Sequence, residues 1–155
     1  MFIVSNGTAN EISNVPDVYL KNQGGLLDIE LHPNFNQNKT IFFSFSKGNK
    51  EDGANTAIAS AKLTGNALGE LKILYQGQEM TNASLHWGSR LQFDDEGYLY
   101  FTIGDRGNRN KNPQDISRDA GKVYRINDDG TIPSDNPFFD VSGSRKAIYS
   151  YGHRN

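Results

Sequence analysis

A histidine and an aspartate occupy the two ends of a segment that the sequence predicts to be a β-hairpin. Residues 91–93 and 99–103 alternate apolar and polar side chains, and Asp94-Asp95-Glu96-Gly97 between them has the composition of a turn. His86 lies before the first predicted strand, and Asp105 lies after the second. Hairpin strands are antiparallel, so His86 and Asp105 should meet at one edge of the sheet. Because a carboxylate-bound histidine is a common general base, the pair predicts proton abstraction.

Both residues also have a structural interpretation that involves no chemistry. A histidine at a strand edge is usually exposed or structural, and an aspartate in a Gly-Asp-Arg-Gly turn usually binds backbone amides. We expect Asp105 to do both, closing the turn and orienting His86. Arg90 fits a pocket wall and a structural ion pair about equally well, and it is left unassigned. His32 and His153 are expected to be structural.

The composition is that of a turn-rich all-β chain and excludes several kinds of protein. The 155 residues include 16 glycines, fit one domain (1–155) and carry a net charge of −2 with both signs interspersed. No basic face supports binding to nucleic acid or to an anionic membrane surface. The absence of cysteine excludes disulfides, thiolate metal sites and a cysteine nucleophile. No run approaches the roughly 20 apolar residues of a membrane span, and no acidic turn has calcium-loop spacing, so no metal site is predicted within the chain.

Further strands are predicted from apolar alternation and from the turns that separate them. They fall at 17–20, 26–31, 40–46, 71–75, 121–127 and 147–151, and residues 2–4 resemble part of another strand. Residues 56–63 fit a strand; a helix is the alternative, but no helix cap supports it. Polar loops are predicted at 47–55 and 108–119.

An internal repeat indicates the architecture. Residues 29–46 and 91–104, which start about 60 residues apart, each contain a strand, a turn and a second strand rich in aromatic residues. Residues 149–155 are predicted to open a further unit. Repeats of roughly 40–50 residues built from short strands are typical of β-propeller blades. We therefore predict an all-β partial propeller of about two to three blades with an unclosed ring, and we expect the chain to be a fragment of a longer protein.

A series of motifs resembles those of a known family. Gln23-Gly24-Gly25-Leu26-Leu27-Asp28-Ile29 with His32-Pro33-Asn34-Phe35 is similar to its early blade signature. The remaining motifs follow in the family's order over nearly the whole chain: His86-Trp87-Gly88-Ser89-Arg90-Leu91, Ile103-Gly104-Asp105-Arg106-Gly107, Gly121-Lys122-Val123-Tyr124-Arg125-Ile126, Ile132-Pro133-Ser134-Asp135-Asn136-Pro137 and Tyr151-Gly152-His153-Arg154-Asn155. The chain thus resembles the soluble pyrroloquinoline quinone (PQQ)-dependent aldose sugar dehydrogenases, also called glucose/sorbosone dehydrogenases. These are six-bladed β-propellers, usually periplasmic in bacteria, and the chain would cover somewhat under half of one.

The resemblance implies an activity and a role for particular residues. The activity is oxidation of an aldose at its anomeric carbon to the lactone, with PQQ and Ca²⁺ as cofactors, a separate electron acceptor and a periplasmic or secreted location. His86 matches the general base that takes the anomeric hydroxyl proton as hydride passes to the quinone, and Asp105 matches the carboxylate that orients it. Arg154 matches the arginine near the quinone oxygens, while Gln23 and Asn155 match contacts to PQQ. The calcium ligands and most basic PQQ contacts are expected beyond residue 155.

Two neighbours of His86 bear on the substrate, and a second function stays open. Leu85 occupies the position where the best-known glucose-oxidising members carry an acidic residue, which weakens glucose as the preferred sugar. Trp87 is expected to shape or restrict the sugar pocket. The alternative function is a propeller used only for binding, since related domains occur in secreted interaction proteins. His86, Asp105 and Arg154 together favour the enzyme.

Overall fold

A computed structural model describes residues 1–155, and its regular structure is almost entirely β. The chain opens with a two-stranded hairpin of β1 (Phe2–Ser5) and β2 (Thr8–Glu11). A first four-stranded antiparallel sheet follows in chain order: β3 (Leu26–Leu31), β4 (Thr40–Asn49), β5 (Gly53–Thr64) and β6 (Ala67–Gln76). A second four-stranded sheet contains β7 (Leu91–Phe93), β8 (Leu99–Ile103), β9 (Lys122–Ile126) and β10 (Ile148–Tyr151). One short helix, α1 (Phe35–Asn38), precedes β4.

The core lies on both faces of the first sheet, which explains the aromatic run in β4. Successive strand residues point to opposite faces. Phe42 therefore packs between the two sheets with Phe101 and Tyr124, whereas Phe43 packs on the other face with Ile12. Two consecutive four-stranded sheets, each built in chain order and packed through a shared core, fit adjacent blades of a β-propeller. The predicted all-β partial propeller is confirmed, and these two blades with a leading hairpin leave its ring unclosed.

A buried polar network links the two blades around Asp119. Its Oδ1 accepts a hydrogen bond from the Tyr75 hydroxyl at 2.5 Å, and its Oδ2 accepts one from the Gln78 backbone amide at 2.8 Å. Asp119 comes from the second blade and both donors come from the first, at or after β6. Burial raises the pKa of Asp119, and it also raises the pKa of Tyr75. The network fixes the long loop before β9 against the first blade.

The strand directions bring four non-adjacent segments to the same edge of the two blades. The strands β3, β7 and β9 begin at this edge, whereas β8 and β10 end there. Residues 21–25, 84–90, 104–121 and 152–155 therefore cluster there, while the α1 region and the β7–β8 turn lie at the opposite edge. We name the first edge the catalytic edge after the role predicted for His86 and Asp105.

Most predicted strands are present, and three predictions were wrong. Residues 17–20 form no strand, and the predicted loop at 47–55 is shorter because β4 and β5 remain paired as far as Asn49 and Gly53. Residues 149–155 do not open a third blade, because β10 pairs with β9 as the last strand of the second. Residues 56–63 are a strand within β5, so the helical alternative is excluded. No helix has the length and apolar character needed to cross a membrane.

Candidate active site

His86 and Asp105 meet at the catalytic edge, as the hairpin geometry requires. His86 Nδ1 lies 2.7 Å from Asp105 Oδ1, and the Asp105 side chain is 1% exposed. An ionised carboxylate only accepts hydrogen bonds, so it selects the imidazole tautomer with hydrogen on Nδ1. The other nitrogen, Nε2, makes no hydrogen bond within the chain and is not buried. It is therefore a free acceptor at the surface of this edge.

Asp105 is fixed by its own turn and by the end of the chain. The Gly107 amide donates to Asp105 Oδ1 at 2.8 Å, and the Asp105 amide donates to the Arg154 carbonyl oxygen at 2.8 Å. Asn112 Nδ2 donates to the Asp105 carbonyl oxygen at 3.0 Å. Asp105 therefore closes its turn and also binds His86, as expected from the sequence.

Two carboxamides hold the backbone around His86. The His86 amide donates to Gln23 Oε1 at 3.0 Å, and the Gly88 amide donates to Asn155 Oδ1 at 2.9 Å. The amide nitrogens of Gln23 and Asn155 make no hydrogen bond within the chain. Both predicted cofactor contacts thus lie beside His86, each with its oxygen used inside the protein and its donors free.

The segment from 85 to 89 has an unusual backbone that its surroundings fix. His86 has φ of 51° and Ser89 has φ of 92°, both in the left-handed region that non-glycine residues rarely adopt. On the side of β5, the Thr56 hydroxyl donates to the Trp87 carbonyl oxygen at 2.6 Å. Gly104 leaves room for the His86 backbone, since a Cβ at residue 104 would overlap the His86 carbonyl oxygen. Such strained residues persist only where the surrounding structure over-determines them.

Trp87 does not line the site, so the prediction that it shapes the sugar pocket was wrong. Its side chain is 2% exposed and packs against Gly24, where a Cβ would come within 2.9 Å of the indole ring. The side chain that does face outwards next to His86 is Leu85, which is 40% exposed. Trp87 therefore anchors the segment, and Leu85 forms the accessible rim.

Arg106 is the residue of this site that sequence reasoning missed. Its guanidinium carbon lies 3.4 Å from the centroid of the Trp87 ring, and its Nη atoms donate to the carbonyl oxygens of Leu85 and Ala83, each at 2.6 Å. Burial lowers the pKa of Arg106 to about 10, opposed by the charge of Asp105, so the guanidinium stays positive at neutral pH. The Gly-Asp-Arg-Gly motif contains Arg106, but the motif does not predict its contact with the Trp87 ring, which depends on the folded backbone.

Arg154 presents a free cation at the same edge. Its backbone is tied to Asp105, whereas its exposed guanidinium makes no hydrogen bond or ion pair within the chain. The predicted residues His86, Asp105, Gln23, Arg154 and Asn155 are thus brought together at one edge.

The arrangement can be compared with known proteins. The sequence pattern of the Glucose / Sorbosone dehydrogenase family matches residues 1–155. The chain belongs to the glucose/sorbosone dehydrogenase family.

Relatives of this glucose/sorbosone dehydrogenase chain are substantially longer than the chain itself. Aldose sugar dehydrogenase YliI of Escherichia coli (strain K12) is 37% identical over 151 residues, which cover 96% of this chain and 40% of the relative. The crystal structure of the soluble aldose sugar dehydrogenase from Escherichia coli in its apo form matches with a TM-score of 0.93 at 35% identity, covering 99% of this chain and 45% of that one. The PQQ-bound aldose sugar dehydrogenase from Streptomyces coelicolor matches with a TM-score of 0.78 at 29% identity, covering 96% and 42%. The chain therefore spans less than half the length of these relatives.

The other candidate residues of the glucose/sorbosone dehydrogenase chain lie outside the His86 network. Arg90 has a side chain that is 82% exposed, and its Nε lies 3.7 Å from Asp28 Oδ2, which makes it a weak surface ion pair. His32 lies at the opposite edge with its Nε2 3.2 Å from Asp128 Oδ2. His153 Nε2 bonds the Ser150 hydroxyl at 2.7 Å. The structural interpretation of both histidines agrees with these contacts, although the sequence did not indicate Asp128 as a partner.

Proposed function

We propose that this chain supplies the general base of a PQQ-dependent aldose dehydrogenase, which oxidises the anomeric carbon of a sugar to the lactone. The observation that carries the proposal is the His86–Asp105 pair, with Nδ1 held at 2.7 Å by a buried carboxylate and Nε2 left free. Membership of the glucose/sorbosone dehydrogenase family and the likeness to a PQQ-bound relative support it. The proposal treats residues 1–155 as part of one propeller domain.

His86 provides the proton transfer that this oxidation needs. Conversion of a cyclic aldose to its lactone removes the anomeric O–H proton and the C–H hydrogen with its electron pair. Nε2 of His86 takes the O–H proton, because Nδ1 already carries hydrogen in the bond to Asp105. The imidazolium that results is stabilised by the Asp105 charge, which acts strongly because it is buried. Loss of the proton makes the carbon alkoxide-like, so the C–H bond breaks more easily.

The free groups at the catalytic edge fit a planar, oxygen-rich quinone. The amide nitrogens of Gln23 and Asn155 are unpaired donors next to His86, and Arg154 adds an unpaired cation. Hydrogen-bond donors and a cation are the groups that hold carboxylate and quinone oxygens. PQQ bound there would supply the acceptor for the two electrons. Calcium stays a prediction: no group of three or more metal-ligating side chains occurs in the chain, and its ligands are expected beyond Asn155.

The substrate, the acceptor and the location follow from the same proposal. The sugar is an aldose that reaches His86 past Leu85, an apolar rim that offers no charge to recognise glucose in particular. The electrons leave to a separate acceptor, and the whole protein works in the periplasm or outside the cell. Family membership, rather than a contact within the chain, supports the substrate class, the separate acceptor and the location.

The test uses the whole protein that carries this chain. It is incubated with PQQ and Ca²⁺ and assayed with a panel of aldoses and a dye that accepts electrons, with a matched sample lacking PQQ. We expect PQQ-dependent dye reduction with at least one aldose and formation of the corresponding lactone. Saturable PQQ binding without turnover on any sugar would support the binding-only propeller instead and would end the enzyme proposal.

A further inference from the structure

We propose that Arg106 is a positioning residue of the general base, which acts with Gln23 and Asn155 to hold the backbone around His86 so that Nδ1 stays on Asp105 and Nε2 stays exposed. The inference rests on the proposed function of His86, but the contacts of Arg106 are independent of any cofactor. It assigns a role to a side chain that touches neither PQQ nor sugar in the proposed mechanism.

The backbone that carries His86 is strained. His86 adopts φ of 51°, which puts its side chain in a direction that an extended backbone would not give. A histidine gains nothing intrinsic from this conformation, because its Cβ crowds the backbone there. Something outside residues 86–88 must therefore hold the backbone in place.

Arg106 contacts the chain on both sides of His86. Its Nη1 binds the carbonyl oxygen of Leu85, the residue before His86, and its guanidinium stacks on Trp87, the residue after. Its Nη2 extends the contact back to Ala83. These interactions hold the peptide unit before His86 directly and the residue after His86 through its indole ring.

Asp105, which binds the His86 ring, and Arg106, which holds the His86 backbone, are neighbours in the chain. Arg106 directly follows Asp105, and its own φ of 53° turns the guanidinium towards the His86 segment. Asp105 therefore holds the His86 imidazole and Arg106 holds the His86 backbone, so the two contacts move together. Both Nη atoms of Arg106 have a carbonyl acceptor in this segment, and only its buried Nε has no hydrogen-bond partner.

The chemistry of the contact requires arginine. A planar guanidinium can donate to two carbonyl oxygens and stack on an indole ring at the same time, whereas an ammonium group is a compact charge that cannot stack. Arg106→Lys should thus retain the charge but lose the paired hydrogen bonds to the two carbonyl oxygens and the stacking on the indole ring. Arg106→Met should lose both while keeping an apolar stem of similar length.

The experiment compares Arg106→Lys and Arg106→Met in the whole protein with Arg109→Met, an exposed arginine three residues away on the same loop. The first readout needs no cofactor: ¹⁵N NMR of labelled histidines reports which ring nitrogen of His86 carries hydrogen. The three histidines of this chain are assigned by single replacement. The second readout is dye-linked turnover with PQQ, resolved into kcat and KM.

The expected result is a graded loss at the base. Arg106→Met should mix the two His86 tautomers and lower kcat by about 100-fold with little change in sugar KM, because displacing a catalytic group by roughly 1 Å costs that much. Arg106→Lys should fall between it and the wild type, and Arg109→Met should match the wild type in both readouts.

Each other outcome has a defined meaning. A folded Arg106→Met protein that keeps the wild-type tautomer and a kcat within about twofold of wild type would overturn the inference. If Arg106→Met does not fold, Arg106→Lys decides by the same two readouts. If the wild type turns over no sugar but the tautomer still changes in Arg106→Met, the proposed function fails and the positioning role stands.

Discussion

The two ring nitrogens of His86 have separate tasks, and the buried carboxylate enforces the separation. Nδ1 is committed to Asp105 at 2.7 Å, which leaves Nε2 as the only ring atom able to take a proton. The chain contains a second pair of the same composition, His32 and Asp128, whose atoms lie 3.2 Å apart at the opposite edge. In that pair Nδ1 accepts from the Asn34 amide and Nε2 faces the aspartate, so neither nitrogen is free. The same two residue types thus give the proposed base in one place and a structural contact in the other.

This contrast supplies a matched test of the base. His86→Gln should lower kcat for aldose oxidation by about 10²–10⁴-fold, the usual contribution of a general base, while PQQ still binds. His32→Gln makes the same substitution in the structural pair and should leave turnover unchanged. Dye-linked kinetics and PQQ titration measure both effects. Equal losses in the two variants would mean that His86 acts through stability rather than through proton transfer.

Hairpin topology was sufficient to bring His86 and Asp105 together from the sequence, but it could not find Arg106. The pair follows from the antiparallel run of β7 and β8, which a local pattern predicts. The stack of Arg106 on Trp87 depends on left-handed backbone at two separate non-glycine residues, which no local pattern predicts. For the same reason Trp87 was predicted to face the site when it faces the core.

Among the strands, the parts that sequence reasoning missed are those without alternating apolar residues. The strand β2, Thr-Ala-Asn-Glu, has one apolar side chain and forms only by pairing with β1. The strand β10 has a clear apolar pattern, but the segment that contains it was assigned to a third blade. Its true partner, β9, is reached only through the long loop that joins the two strands. The polar network around Asp119 holds a neighbouring long loop, and it too was invisible in the sequence.

Removal of Asp119 should show how much that network contributes. Asp119→Ala leaves the Tyr75 hydroxyl and the Gln78 amide without their acceptor in a buried place. We expect a loss of roughly 3 kcal/mol in the free energy of unfolding, at the lower end for breaking a buried charged network. Denaturant unfolding of the whole protein measures this loss. Lys111→Ala, at an exposed position on the same loop whose side chain makes no hydrogen bond within the chain, is the control and should change stability by less than about 0.5 kcal/mol.

A buried lysine gives the same loop a dependence on pH. Lys122 Nζ donates to the carbonyl oxygens of Asn112 and Ala120, both at 2.7 Å, and burial lowers the pKa of Lys122 to about 8. In the unfolded chain a lysine has a pKa of about 10.4, so between these values the unfolded state binds more protons. Stability due to Lys122 therefore rises with pH from about 8 to about 10.4 and is constant below and above that range.

The measurement is the difference in unfolding free energy between wild type and Lys122→Met at several pH values. We expect the difference to shift in favour of the wild type across that window. Taking the difference removes the opposite effect of Tyr75 and Tyr124, whose pKa values burial raises and which favour folding less as pH rises above about 10. A difference that stays flat from pH 8 to 10 would show that Lys122 titrates normally.

Across the whole molecule, the repeat of strand pattern was the feature that predicted the fold. The strands β3 and β4 of the first blade correspond to β7 and β8 of the second, as the two similar segments indicated. The number of strands per blade could not be read in the same way, because β5 and β6 have no recognisable echo in the short strands β9 and β10. The catalytic edge follows from this topology, since every segment that reaches it enters or leaves a blade there.

The distribution of site residues predicts how residues 1–155 behave alone. They contain the proposed base, its carboxylate and three groups proposed to contact PQQ, but the calcium ligands and most basic cofactor contacts are expected beyond residue 155. We therefore expect the isolated segment to show no PQQ-dependent dye reduction with any aldose that the whole protein oxidises. Dye reduction at equal protein concentration tests this. Turnover by the segment alone would mean that the site is complete within these residues.

The exposed side chain of Leu85 has a consequence for how such a protein can diversify. Its backbone carbonyl is held by Arg106, while its side chain projects from the segment and packs loosely enough to be 40% exposed. A point mutation at this position can therefore change the chemistry of the rim without moving the backbone of the neighbouring base. Gly104 is the opposite case, because any side chain there collides with His86. Under the proposed function, substrate preference can thus change through Leu85 over evolutionary time or by directed evolution, while the proposed catalytic pair is inherited unchanged.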